Sequence, residues 1–344
     1  MSGPAPTPPA VPRPGHDPGD VAARLRRVLG PVGLVRSTPL GGGLSNAAVL
    51  AELDDGRRLV LKTAPRATAP ALTHERDLLG TEALFHRLAA PAGVRVPTVL
   101  HHEPPGAGTP AEWLLLTHLD GITWDAARAG LTPGDSAALR RELGASLARV
   151  ASVTGPAYGY PRPAPRLTAP DWPGAFTAML RAVLADADRF GVALPVPAAR
   201  LAALPDRFRH RLAEVARPAL VHFDAWAGNI VLDRTGTGAW RLGGLIDGER
   251  AFFGDPLAEF VGLDPLGEAE EDADLTAGYR SVAPSLTVDA GARARLALYR
   301  IYLALVMRVE SVPRGYEGEF ASWLDSWSAE RIAAQAAVLD ALEG

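Results

Sequence analysis

The stretch HFDAWAGNIVLDRTGTGAWRLGGLID, His222 to Asp247, constrains this chain most. It sets Asp224 five residues ahead of Asn229 and returns through Leu245-Ile246 to Asp247. The Val231-Leu232 and Leu245-Ile246 runs flank a Gly236-Thr237-Gly238 turn, a spacing that predicts a β-hairpin carrying the second Asp back beside the first. Two acids and an amide at the ends of short strands suit a divalent cation, because Mg2+ takes a few carboxylate or amide oxygens and leaves its other positions to water and phosphate. On this reading Asp224 is the catalytic carboxylate that accepts the proton of an attacking hydroxyl, while Asn229 and Asp247 hold the metal. Asp and Asn also favour turns because they hydrogen-bond local backbone, but that role does not require all three at these spacings. His222 reads as a buried histidine holding the loop rather than a proton carrier, since Asp224 already fills the base role.

The order His222, Asp224, Asn229 (HxDxxxxN), then Asp247 and Glu249 (IDxE), then Gly254-Asp255-Pro256, resembles the aminoglycoside phosphotransferase family. That family is a branch of the protein-kinase-like fold that also holds choline, fructosamine and homoserine kinases. The resemblance implies an α+β, bilobal protein-kinase-like fold, with an N-lobe of antiparallel sheet and a helix over residues 21–118. A mostly helical C-lobe with a catalytic β-hairpin would occupy residues 119–344. Asp255 reads as the cap of a helix beginning at Pro256. In relatives an acid in the region of Asp255 to Glu259 braces the catalytic loop; many have Asp where this chain has Glu259.

Upstream, residues 1–20 are dominated by Pro with Gly and Ala, a composition that reads as a disordered tail. Folding is expected to begin near Val21, with a short helix through Leu29. Leu40-Gly41-Gly42-Gly43-Leu44-Ser45-Asn46-Ala47 then opens a strand pair, Ala48 to Leu53 and Arg58 to Thr63, joined at Asp54-Asp55-Gly56. The glycines open a strand rather than a helix and no Gly-Lys-Ser/Thr follows, so this is neither a dinucleotide fingerprint nor a P-loop. Ahead of Lys62 it reads as a nucleotide loop in which Gly42, Gly43, Ser45 and Asn46 cover phosphates. Lys62 would grip those phosphates and needs an acid from the next helix, Leu72 to Ala90. That helix offers Glu75 and Glu82, and the resemblance favours Glu82 from its distance to Val96-Pro97. After a strand near Thr98 to His101, the run Trp113 to Leu116 ends in a polar turn at Asp120-Gly121. This fits a hinge in which Leu116, His118 and Leu119 contact the base. His101, His102 and His118 have no spaced carboxylate or thiolate set and read as surface or hinge residues, not metal ligands.

Helices are expected over Pro133 to Val153, with Leu139, Leu143, Leu147 and Val150 on the buried face. Further helices are expected over Trp172 to Phe190, Pro197 to Ala216, Asp289 to Val309 and Ser328 to Leu342. The acidic run Glu268 to Asp274 reads as a solvated helix start ahead of an acidic wall facing the cleft. Trp323, Asp325 and Trp327 either line an acceptor pocket or pack the last helix.

A formal net charge of −4 argues against a nucleic-acid partner. The lack of cysteine excludes disulfides and thiolate chemistry and suits a reducing cytoplasm. The N-terminus lacks a signal-peptide pattern, and the apolar run Leu296 to Met307, interrupted by Arg300, is too short to span a bilayer. A soluble cytoplasmic protein with no membrane partner is expected. A protein kinase is disfavoured because Asp247-Gly248-Glu249 stands where Asp-Phe-Gly would and no Ala-Pro-Glu follows. The expected activity is Mg2+-dependent transfer of the γ-phosphate of ATP, or of GTP, to a hydroxyl of a small molecule. The resemblance suggests an antibiotic of aminoglycoside, peptide or nucleoside type; the Ala- and Arg-rich, lysine-poor composition looks like that of a high-GC soil bacterium. The alternatives are a metabolic kinase for a sugar, amino alcohol or amino acid, and a nucleotide-binding regulator without catalysis.

Overall fold

Helix α1 (Pro18–Leu29) starts three residues before the expected position because Asp17 caps it, accepting from Gly19 N, and Pro18 sits in its first turn. The tail expected over residues 1–20 is therefore helical at its end. The computed structural model describes residues 17–41, 46–65, 69–106, 111–162 and 166–343, so the rest of that expected tail lies outside the described residues.

Strands β1 (Leu34–Leu40), β2 (Ala47–Leu53) and β3 (Arg58–Thr63) form an antiparallel meander. Beyond them, the helix expected over Leu72 to Ala90 is broken. A 3-10 turn at Thr73–Glu75 ends at Arg76, which is extended, and Asp77, with φ 58°, starts helix α2 (Leu78–Ala89). The two pieces answer to different anchors: Thr73 donates through N and Oγ1 to Asp186 (2.6 and 2.8 Å), whereas α2 packs on the sheet. Strands β4 (Val99–Glu103) and β5 (Trp113–Thr117) complete a sheet of order β1-β2-β3-β5-β4. The period of two along β5 sorts its side chains. Trp113 and Leu115 join Val21 and Leu25 of α1, while Leu114 and Leu116 join Leu79 and Ala83 of α2, so the sheet is packed on both faces.

The chain then crosses through β6 (Ile122–Thr123) and the single turn α3 (Trp124–Ala127) into helix α4 (Pro133–Ser152). A Thr132–Asp135 capping box starts α4, and all four expected core positions are buried. Short strands β7 (Tyr158–Gly159) and β8 (Thr168–Ala169) precede α5 (Trp172–Arg189). The helix expected over Pro197 to Ala216 is two, α6 (Ala198–Arg207) and α7 (Arg209–Leu212), separated at Phe208. Pro205, which lacks a backbone donor, weakens the turn before the break. Strands β9 (Ala219–Val221), β10 (Ile230–Arg234), β11 (Trp240–Leu245) and β12 (Phe252–Gly254) follow. The β10–β11 hairpin pairs Ile230 with Leu245 and takes β6 as a third strand, while β12 lies between β7 and β9.

The last elements are α8 (Ala258–Leu263), α9 (Ala273–Val282), α10 (Ala290–Glu310) and α11 (Gly318–Glu343). Helix α11 begins ten residues before the expected Ser328, behind Gly315 and Gly318 at positive φ. Within it Trp323 and Trp327 stack on each other at 5.8 Å, and Asp325 pairs with Arg308. The acidic run is neither a free wall nor merely solvated. Asp272 caps α9, and Asp272, Asp274 and Glu270 pair with Arg140, Arg141 and Arg300. Helices α4 and α9 touch backbone to backbone at Gly144 and Gly278. A Cβ on either glycine would stand 2.0 Å from Leu275 O or 2.1 Å from Arg141 O.

Aromatic rings fill the core between α5, α10 and the β9–β12 region. Trp172 stacks on Phe252 and donates to Tyr299 Oη (2.7 Å), and Phe223 packs against Phe252 and Tyr302. Among the described residues no helix is long and apolar enough to cross a membrane.

His74 is 2 % exposed, lies over Tyr160 and leaves Nδ1 without a partner; burial holds its pKa down, at about 3 rather than 6.5. The unfolded chain binds a proton here below 6.5 and the folded chain does not until about 3, so stability from this site is lost as pH falls through that window. Chemical denaturation of wild type and His74→Phe at pH 7 and 5 should show wild type losing roughly 2 kcal/mol more than the variant. Equal losses would remove His74 from the acid response.

Candidate active site

The loop between β9 and β10 is held from beneath. Glu259 of α8 is 3 % exposed, and its Oε2 accepts from His222 N at 2.7 Å. Burial pushes this carboxyl up to about 7, against hydrogen bonds from the His222 and Phe223 amides. Phe223 has φ 62°, and a Cβ on Gly262 would meet its carbonyl at 2.4 Å, so α8 lies directly under the strained residue. His222 is fully buried. Its Nε2 donates to Ile246 O (2.9 Å) while Nδ1 accepts from Asp224 N (3.2 Å), which fixes a neutral tautomer, and burial lowers its pKa to about 4. It is a strut between the loop and the hairpin end, as the sequence suggests. Glu259 is thus the acid that braces the loop in this chain. The helix expected from Pro256 begins at Ala258 with no side-chain cap; Asp255 instead accepts from Leu257 N in the turn before it and from Arg295 and Tyr299, so it anchors α10.

Above this support Asp224 and Asn229 face each other. Asn229 Nδ2 donates to Asp224 O (2.8 Å) and Asp224 Oδ2 (3.1 Å). That use of the amide nitrogen leaves Oδ1 without a donor among the described residues. Asn229 also anchors the hairpin end, since Ile246 N donates to Asn229 O at 3.0 Å, next to Asp247. Asp247 sits at φ 61° and its carboxylate contacts Lys62 Nζ. Lys62 in turn is held by both oxygens of Glu82, at 2.7 and 2.9 Å, and Glu82 is fully buried with His86 3.3 Å away. Burial alone would push the Lys62 ammonium down. Asp247 and Glu82, with Glu249 behind them, outweigh it and hold the lysine protonated. Lys62 is also the only lysine in the chain, a signal in the composition that marks the residue before any geometry is known.

Burial pushes Asp224 up to about 7, against the pull of Arg250 and with added repulsion from Glu249 and Asp247. A carboxyl titrating near neutrality is suited to taking a proton at working pH. Glu249 is likewise raised to about 7 by burial, opposed by Lys62, and it accepts from Asn46 Nδ2 at 2.5 Å. Asn46, at the end of the glycine run, thus reaches across to the hairpin end. Gly42, Gly43 and Ser45 lie outside the described residues. In the β5 crossing, Leu116 is buried against α2, His118 N donates to Arg58 O (3.1 Å), and Leu119 is half-buried near Gly244.

Two groups around the site have no sequence signal. Arg250 lies 3.8 Å from Asp224 and 2.8 Å from Glu310; Glu310 also pairs with Arg314, which contacts Glu75. Glu75, the alternative lysine partner, is therefore committed to Arg314. Arg162, 6 % exposed, donates to Thr81 Oγ1 and to Glu249 O, both at 3.0 Å, joining α2 to the hairpin end. Partners this far apart in sequence leave no spacing to read.

The family model of the phosphotransferase enzyme family matches residues 36–298, well over half of the chain. The chain belongs to that family. No protein of curated function matches it by sequence. Solved structures match across nearly its whole length. One from Thermobifida fusca, assigned by name to the fructosamine-3-kinases, has 20 % identity and TM-score 0.64, with 92 % of this chain and 98 % of that one covered. An aminoglycoside phosphotransferase from Ralstonia eutropha, assigned by name, has 15 % identity and TM-score 0.62, with 94 % and 98 % covered. Aminoglycoside phosphotransferase APH(4)-Ia, with AMP-PNP and hygromycin B, has 18 % identity and TM-score 0.59, with 92 % and 97 % covered. The fold is the bilobal, protein-kinase-like one that the motifs of the hairpin imply.

The support beneath the loop can be tested apart from chemistry. Glu259→Ala leaves buried amides without an acceptor and should cost about 2–4 kcal/mol in urea unfolding, whereas Glu259→Gln, which keeps an acceptor oxygen, should cost less than half of that. Similar losses for the two variants would mean that packing, not the hydrogen bond, holds the loop.

Proposed function

We propose that this phosphotransferase is a small-molecule kinase that moves the γ-phosphate of ATP, or of GTP, onto a hydroxyl of its acceptor. The observation that carries the reading is the meeting of Lys62, Glu82 and Asp247 beside the Asp224–Asn229 pair. Asp224 orients the acceptor hydroxyl and takes its proton; its raised pKa helps at neutral pH, and a neighbouring dication would draw that pKa back down. Lys62, fixed by Glu82, orients the phosphates. Asn46, with Gly42, Gly43 and Ser45, covers them, and the crossing at Leu116, His118 and Leu119 receives the base.

Asn229 Oδ1 and the Asp247 carboxylate are the oxygen donors that Mg2+ accepts, and Asp247 already faces a cation in Lys62. Bound there, Mg2+ would neutralise charge on the transferring phosphoryl group. The chain's own contribution is position and a fixed field around the reacting oxygens.

The acceptor we favour is a hydroxylated antibiotic of the aminoglycoside type, with resistance or producer self-protection as the biological outcome. Structural neighbours are named for complexes with hygromycin B, streptomycin and gentamicin. The fructosamine-3-kinase neighbour, with its TM-score of 0.64, supports a metabolic kinase acting on a glycated or sugar-like amine as the second reading.

The test is ADP release from purified protein with Mg2+ and ATP, across a panel of aminoglycosides and fructosamine-type amines. With a productive acceptor, Asp224→Ala should lower kcat roughly a hundred- to ten-thousand-fold while leaving the melting temperature within a few degrees. Turnover retained within about tenfold would remove Asp224 from the base role.

A further inference from the structure

The head of α2 meets strands β4 and β5 at a second cluster of charged side chains, apart from the cleft. Asp77 precedes α2, His102 projects from β4, and Glu112 stands immediately before β5. One ligand atom from each lies within 4.8 Å of the others. Glu112 is 5 % exposed; its Oε1 accepts from Gly80 N at 2.7 Å and lies 2.8 Å from His102 Nε2. Asp77 is half-buried beside them. A Cβ on Gly80 would stand 2.4 Å from Asp77 Oδ1, so glycine leaves the space the carboxylate fills.

We propose that Asp77, His102 and Glu112 form a binding site for a divalent transition-metal ion, with zinc as the best match. Two carboxylates with oxygens within 4.8 Å, one of them buried, favour a positive charge or a shared proton between them. The His102 imidazole, 2.8 Å from Glu112, can supply it alongside the field of the Arg162 guanidinium, and an imidazole with two carboxylates offers three of the N and O donors that zinc accepts, with a fourth position left to water. An imidazole nitrogen favours Zn2+ and the later transition-metal ions over Mg2+, Ca2+ and Mn2+, which take oxygen. Tetrahedral zinc with bonds of about 2.0–2.2 Å spaces its donors roughly 3.3–3.5 Å apart. The His102–Glu112 pair would have to open by about half an ångström, a rotamer-scale adjustment.

The sequence conceals the site. Along the chain the one adjacent carboxylate, Glu103, pairs with His101, and the acids that meet His102 arrive from 25 residues before and ten residues after it. Only the antiparallel pairing of β4 with β5, which sets His102 opposite Leu114, and the packing of α2 over them bring the three together. The cluster is also mechanically connected: Glu112 holds Gly80 N in the first turn of α2, and Glu82, two residues on, holds Lys62. An ion here would stiffen the start of the helix that carries the lysine's partner.

The experiment is zinc binding by protein stripped with EDTA and dialysed, followed by isothermal titration and by the visible absorption of the Co2+ form. Wild type should bind one Zn2+ in a step that His102→Ala and Asp77→Asn each weaken by roughly tenfold or more. His101→Ala, whose imidazole pairs with Glu103 instead, should leave the step intact. Asp247→Asn should leave it intact as well, which separates it from cation binding in the cleft and from any failure of the kinase reading. Asp77→Asn conserves shape, and melting curves without metal would show whether it remains folded. The proposal is overturned if no stoichiometric step appears, if the step survives both His102→Ala and Asp77→Asn, or if it disappears with His101→Ala or Asp247→Asn. A cluster that holds only a shared proton gives the first of these results.

Discussion

The contact between Lys62, Glu82 and Asp247 joins three elements that the chain order keeps apart: the β3 strand, helix α2 and the end of the β10–β11 hairpin. A buried ammonium is costly to desolvate and stays charged only because carboxylates on two sides repay that cost. Each acid comes from a different element, so the position of α2 and that of the hairpin end are both tied to the one ammonium. Asn46 is drawn to the same place, since it bonds to Glu249, two residues beyond Asp247.

Beneath the hairpin the organisation is of another kind. Glu259 holds the β9–β10 loop through its backbone amides and His222 spans to Ile246, so Asp224 rests on a buried carboxyl and a neutral imidazole. Two of the three described non-glycine residues at positive φ, Phe223 and Asp247, are in this site. Backbone strain there is held in place by an aromatic core in which Phe223 packs between Phe252 and Tyr302. The rings and the acids are therefore one construction, the first fixing what the second needs held still.

What could be read from the chain alone followed from locality. Strand β3 has the boundaries its Arg58–Thr63 pattern suggests, α4 buries its four expected leucine and valine positions, and α10 begins one residue after Asp289, its cap. Segments failed where a distant anchor decides. Thr73 is tied to Asp186, more than a hundred residues away, and the helix breaks before Leu78. The early start of α1 was legible in Asp17-Pro18 and was masked by the proline-rich composition around it. In the site, contiguous motifs placed Asp224, Asn229 and Asp247. Arg162, Arg250 and Glu310 act through partners that no spacing records.

The single lysine has a practical corollary. Amine-directed reagents, including activated esters, imidoesters and glutaraldehyde, find one side-chain amine in this protein, and it is shut between two carboxylates. Dyes, resins and cross-linkers of that type will find no other side-chain amine beyond the chain's α-amino group, while guanidinium- or carboxyl-directed chemistry will find many handles. Whatever does acylate the ε-nitrogen reports a momentary parting of α2 from the hairpin, which makes the slow appearance of that adduct a clock for how often the molecule opens.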